Sequence, residues 1–147
     1  MKLLILNGPN INMLGVREPD IYGNLNYEQL CSYIMNYSSS NYSHIQLEFY
    51  QSNHEGLLID KIHENYGIVD GIIFNPGAYT HTSIALLDAI KCVNIPTIEV
   101  HLSDVSKREE FRQVSFIRSA CIHTVSALGK DSYTKAIDLM NEYLKGE

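Results

Sequence analysis

Five short strand-like segments, each followed by a segment of helical character, constrain this chain more than any other feature. The strand-like segments span 2–7, 45–51, 69–74, 96–101 and 121–126. Between and after them lie helical patterns at 26–37, 56–65, 81–92 and 131–145, with a short helical turn near 107–112. Strands that alternate with helices predict a parallel sheet covered on both faces. Five strands suit the flavodoxin-like order 2-1-3-4-5, so the expected class is α/β. The 147 residues are enough for one well-buried core, and a single catalytic domain over 1–147 is expected. Asn26, with Gln29 three residues on, reads as a capping box before a face of Leu30, Tyr33, Ile34 and Tyr37. Ile84, Leu87 and Ile90 form the stripe of the 81–92 helix. The final helix turns Tyr133, Ala136, Ile137, Met140 and Leu144 inward.

Charge and composition remove several function classes. A formal charge of -6 disfavours a nucleic-acid binder, which needs a basic face. The longest apolar runs are of strand length, so no membrane span is expected. Met1–Gly8 resembles a signal peptide only superficially. Its apolar stretch ends at once in Asn7-Gly8-Pro9 without a small-residue cleavage site, which favours a strand. Cys31, Cys92 and Cys121 are odd in number and widely spaced, as expected of reduced cytoplasmic thiols, and all three are expected in the core. With no paired cysteines, His-Glu-x-x-His or EF-hand spacing, no metal is expected. Neither glycine-rich nucleotide fingerprint is present. His44, His63, His123 and His54 read as loop, surface, strand and helix-start residues.

The expected strand order sets the carboxyl ends of strands one, three and four side by side. Ligands of open α/β sheets bind in that crevice. Three loops open onto it. The first, 8–25, far exceeds the usual connection of about 2–6 residues and carries apolar side chains, as a lid does, with Gly15 and Gly23 as candidate hinges. The second, Asn75-Pro76-Gly77, breaks a strand before a helix expected to begin near Thr80 or His81. Such a turn aims backbone N–H groups and a positive dipole end at one spot, which attracts a carboxylate or phosphate. The third carries Arg108 and Arg112, four apart and so on one face of a helical turn. Strand four places Glu99 and His101 on the same face. A carboxylate beside an imidazole favours its protonated form, which suits a general acid. Arg17, Arg108 and Arg112 together suit a Tyr22 held as tyrosinate, a base at neutral pH. A base and an acid facing one small anion suggest proton abstraction with loss of a leaving group.

Longer motifs narrow this further. Leu6-Asn7-Gly8-Pro9-Asn10, Arg17-Glu18-Pro19-Asp20-Ile21-Tyr22-Gly23 and Gln51-Ser52-Asn53-His54-Glu55-Gly56 occur in order. Asn75-Pro76-Gly77-Ala78-Tyr79-Thr80-His81-Thr82-Ser83 follows, then Ile98-Glu99-Val100-His101-Leu102-Ser103 and Arg108-Glu109-Glu110-Phe111-Arg112. Nearly end to end, the chain resembles type II 3-dehydroquinate dehydratase. The resemblance implies an anti dehydration of 3-dehydroquinate to 3-dehydroshikimate through an enolate, in the shikimate pathway or in quinate breakdown, with no cofactor, Schiff base or metal. It implies Tyr22 as the base, Arg17 as the residue holding it ionised, His101 as the acid and Glu99 as its orienting partner. Asn10 would position a water at the enolate oxygen. Asn75, Gly77, Ala78, His81, Leu102, Ser103, Arg108 and Arg112 would hold the substrate. Asp88, two helical turns beyond His81, would reach a neighbouring subunit's site in a dodecamer built from trimers. Gln113 and the Leu128–Tyr133 segment depart from the family pattern. A non-catalytic flavin, phosphoreceiver or scaffold domain shares the expected sheet. A phosphoreceiver, however, needs acidic residues where Asn7 and Asn75 stand, and an FMN protein needs a Ser/Thr/Gly loop after strand one.

Overall fold

A computed structural model describes residues 1–16, 20 and 24–146. Its five strands are β1 (Lys2–Asn7), β2 (Gln46–Gln51), β3 (Gly71–Asn75), β4 (Thr97–Val100) and β5 (His123–Val125). They form one parallel sheet in the order β2-β1-β3-β4-β5, as the sequence predicts. Among the described residues the α-helices are α1 (Tyr27–Asn41), α2 (Glu55–Glu64), α3 (Ile84–Val93) and α4 (Asp131–Lys145). None is long and apolar enough to cross a membrane.

Strand alternation splits the core in two. Leu3 and Ile5 of β1 face one side with Ile73, Ile98, Leu30, Ile34, Tyr133 and Ile137. Leu4 and Leu6 face the other with Ile72, Phe74, Leu58, Ile62, Leu86 and Ile90. Residues on both sides are fully or almost fully buried, each aliphatic side chain stabilising the fold by about 1.5–3 kcal/mol. Two helices therefore cover each face, α1 and α4 on the first and α2 and α3 on the second.

The expected capping box is present. Asn26 Oδ1 accepts from Gln29 N at 2.8 Å, and Gln29 Oε1 accepts from Asn26 N at 3.0 Å. Other expectations need correction. The helix expected over 81–92 begins only at Ile84, capped by Ser83 Oγ, which accepts from Leu86 N at 2.9 Å. A separate 3-10 turn, Gly77–His81, precedes it. The stripe shifts with it: Leu86, Ala89, Ile90 and Val93 are buried, whereas Ile84 is exposed. The ambiguity arises because every position from Ile84 to Ile90 except Asp88 is apolar. Cys92 is also exposed, and Cys31 and Cys121 are half-buried rather than core.

Candidate active site

Two glycines bring the ends of β1 and β3 together. Gly8 N donates to the Asn75 carbonyl at 2.7 Å, and a Cβ at Gly8 would lie 2.3 Å from the Pro76 oxygen. Gly77 has φ +61°, and a Cβ there would lie 2.8 Å from the Pro9 oxygen. Only glycine permits this approach at both positions. Asn10, with φ 69°, continues the turn, and its N–H donates to Asn53 Oδ1 at 3.0 Å. The two loops thus form one wall of a cavity that Pro9, Asn10, Asn75 and Gly77 line.

Asn75 of that wall belongs to a polar network. Tyr133 Oη donates to Asn7 Oδ1 at 2.6 Å and accepts from Asn75 Nδ2 at 2.9 Å. Asn75 Oδ1 accepts from Gly77 N at 3.1 Å, which fixes the turn. Asn7 Nδ2 reaches Tyr27 Oη at 3.4 Å. Burial pushes the Tyr27 and Tyr133 phenols far above their ordinary value, so both stay neutral. The sequence assigns this role to neither: Asn7 falls in the Leu6–Asn10 motif with no role of its own, and Tyr133 reads as an ordinary position of a helix stripe.

The opposite wall follows β4. Glu99 and His101 lie on one face, as alternation predicts, and Glu99 Oε2 meets His101 Nε2 at 2.5 Å. Glu99 is fully buried and His101 nearly so. Burial pushes the Glu99 carboxyl up, but hydrogen bonds and charge from His101 and Arg118 outweigh it and hold the group at about 2. An ionised carboxylate only accepts, so His101 Nε2 carries the hydrogen and Nδ1 is the ring nitrogen left for a ligand. His101 lines the cavity, followed by Leu102 and Ser103. The 126–129 segment holds them from behind: Gly129 N donates to the Leu102 carbonyl at 3.0 Å and Ala127 N to the Ser103 carbonyl at 3.3 Å.

His81 closes the third side. Its Nδ1 donates to the Val114 carbonyl at 2.7 Å, which assigns the hydrogen to Nδ1 and leaves Nε2 as an acceptor in the neutral ring. Burial, foremost, lowers its pKa and favours that neutral form. A ligand hydroxyl fits such an acceptor. Arg108 and Arg112 also line the cavity, but not on a shared helical turn. They lie on two 3-10 turns, Val105–Lys107 with Arg108 as its cap and Glu110–Arg112. Glu109 between them pairs with Arg112 Nε at 2.8 Å and approaches Arg108 Nε at 4.0 Å. Two guanidinium groups in so small a cavity favour an anionic ligand.

Of the residues named from sequence, Asn10, Asn75, Gly77, Ala78 and His81 line this cavity along the first two loops. His101, Leu102, Ser103, Arg108 and Arg112 line it along the third, with Glu99 behind His101. Asp88 does not line it. It is exposed on α3, and the break at Thr82-Ser83 means that it shares no continuous helix with His81. Tyr22 and Arg17 lie outside the described residues. Sequence reasoning missed Ser115 and Arg118, which both reach Glu99. They follow β4 by 15 and more positions, and no period links them to it.

The family model described as "Dehydroquinase class II" matches residues 1–141. The 3-dehydroquinate dehydratase of Fusobacterium nucleatum is 49% identical over 144 residues, covering 97% of this chain and 98% of that one. The one from Caldicellulosiruptor saccharolyticus is 52% identical over 147 residues, with 97% and 98% covered. The crystal structure of the type II dehydroquinase from Butyrivibrio crossotus superposes with a TM-score of 0.92 at 51% identity, covering 96% of this chain and 97% of that one.

Proposed function

The chain belongs to the class II dehydroquinase family and is a type II 3-dehydroquinate dehydratase; on that premise we propose how its residues divide the shikimate-pathway dehydration of 3-dehydroquinate to 3-dehydroshikimate. The observation that carries the proposal is the His101–Glu99 pair opening onto a small cavity lined by arginines.

In this reading Tyr22, kept as tyrosinate by Arg17 together with Arg108 and Arg112, removes the C2 proton. The resulting enolate oxygen is stabilised by a water that Asn10 positions. His101 gives the proton on Nδ1 to the C1 hydroxyl, which leaves as water on the opposite face. Glu99, accepting from Nε2, fixes the ring. The Tyr27 and Tyr133 phenols support Tyr22 as the base by contrast, since burial keeps both from ionising. Arg108, Arg112 and Ser103 hold the substrate carboxylate and hydroxyls. Neutral His81 accepts from a hydroxyl, and the Asn75, Gly77, Ala78 and Leu102 segments shape the cavity. No cofactor or metal enters the reaction. Residues 1–147 act as a single catalytic domain in the cytoplasm, within a dodecamer of trimers in which Asp88 reaches the neighbouring site. Its exposed position on α3 supports that placement. The curated relatives carry the enzyme's name, which disfavours a non-catalytic binding domain.

The test is direct. Added 3-dehydroquinate should give the absorbance of an enone. Tyr22→Phe and His101→Ala should each lower turnover by at least about a hundredfold, the scale of one general acid or base, while the circular dichroism stays native. Full activity in either variant overturns the corresponding role. Borohydride with substrate should leave no covalent adduct.

A further inference from the structure

Glu99 has more partners than the orientation of one histidine requires. Its Oε2 meets His101 Nε2 at 2.5 Å and Arg118 Nη2 at 3.0 Å. Its Oε1 meets Ser115 Oγ at 2.9 Å and Arg118 Nε at 3.3 Å. A carboxylate offers about four lone-pair sites, so this set is complete. Arg118 spans both oxygens with the guanidinium fork, which a lysine cannot reproduce. It lies in the 3-10 turn Arg118–Ala120, its side chain 45% exposed, and does not line the cavity.

Charge balance explains the arrangement. While His101 is protonated, its imidazolium balances Glu99. In the elimination the imidazolium proton passes to the departing hydroxyl, the C–O bond breaks, water leaves and neutral imidazole remains. Glu99 is then a fully buried anion whose balance must come from elsewhere, because an unpaired buried charge is strongly disfavoured. Arg118 supplies that balance on both sides of the transfer. We propose that Arg118 is a positioning residue for the dehydration: acting through Glu99, it makes His101 a stronger proton donor and holds its ring with Nδ1 toward the substrate. The proposal rests on His101 being the acid.

The other groups facing the dyad leave this role to Arg118. Burial, and then the charge of Glu99, push the Cys121 thiol up to about 12, so it stays neutral. His81, on its own 3-10 turn, is pushed toward the neutral form. Arg108 and Arg112 line the cavity, which Arg118 does not. His123 of β5 is exposed at the edge of the sheet.

The experiment compares Arg118→Met, Arg118→Gln and Arg118→Lys with the parent in the full chain. Arg118→Met should lower kcat by about three- to tenfold with KM changed less than about twofold, and should move the alkaline limb of the kcat profile up by about one pH unit. Arg118→Lys should restore the limb and only part of the rate. Carbon-13-labelled histidine, with His101 assigned from His101→Gln, reads the same effect without turnover: its titration should move to higher pH in Arg118→Met. Arg118→Gln, which keeps one donor for Glu99, serves if the methionine variant does not fold. An unmoved His101 titration, or a lower melting temperature with kcat per folded site unchanged, overturns the proposal. Retained turnover in His101→Ala would instead reject the acid assignment beneath it.

Discussion

Replacing Tyr133 with phenylalanine removes one oxygen and leaves two buried amides short of a partner, Asn7 Oδ1 and Asn75 Nδ2. Each unpaired buried group costs about 1–3 kcal/mol, so Tyr133→Phe should destabilise the protein by roughly 2–4 kcal/mol in urea unfolding. KM should rise as well, because Asn75 Oδ1 holds the Gly77 turn. The residues that line the cavity were legible in sequence, since motif and strand alternation put them at three loop ends. The residues that hold them were not. Tyr133 looks like one more apolar position of α4, and Arg118 like a solvated charge. Their roles depend on pairings 126 and 19 positions away, which no local pattern encodes.

Among the elements, the central strands β1 and β3 were the clearest, because a strand buried on both faces reads as a continuous apolar run, and the order followed from the βα alternation. The connection after β3 was less clear. The helix expected from Thr80 or His81 starts only at Ile84, where Ser83 caps it, and a separate 3-10 turn precedes it. The consequence is favourable for binding: the turn, not a helix end, carries His81 to the cavity. The loops after β1 and β3 then act as a single element, because their backbones touch. Gly8→Ala tests this. A methyl 2.3 Å from the Pro76 oxygen cannot be relieved by side-chain rotation, so the loops must separate. A loss of about 1–3 kcal/mol in stability is expected, with a clear fall in kcat/KM, because the displaced turn also carries the cavity wall.

At the scale of the whole molecule, Glu99 links the cavity's His101 to acid stability. Its folded value of about 2 lies below the ordinary 4.5, so it contributes stability that is present above about 4.5 and lost as pH falls through about 2. The melting temperature should therefore decline across that window, and Glu99→Gln should flatten the decline while lowering stability at neutral pH. An equally steep acid decline in Glu99→Gln would reject the link. The network that steadies the cavity also sets when the enzyme can work. Asn7 ends the first strand, but the hydroxyl that steadies it belongs to the final helix. A nascent chain still threaded through the ribosome with α4 unreleased has every cavity-lining loop already synthesised, yet Asn7 and Asn75 still lack the Tyr133 hydroxyl. Turnover should begin only after that helix emerges and docks.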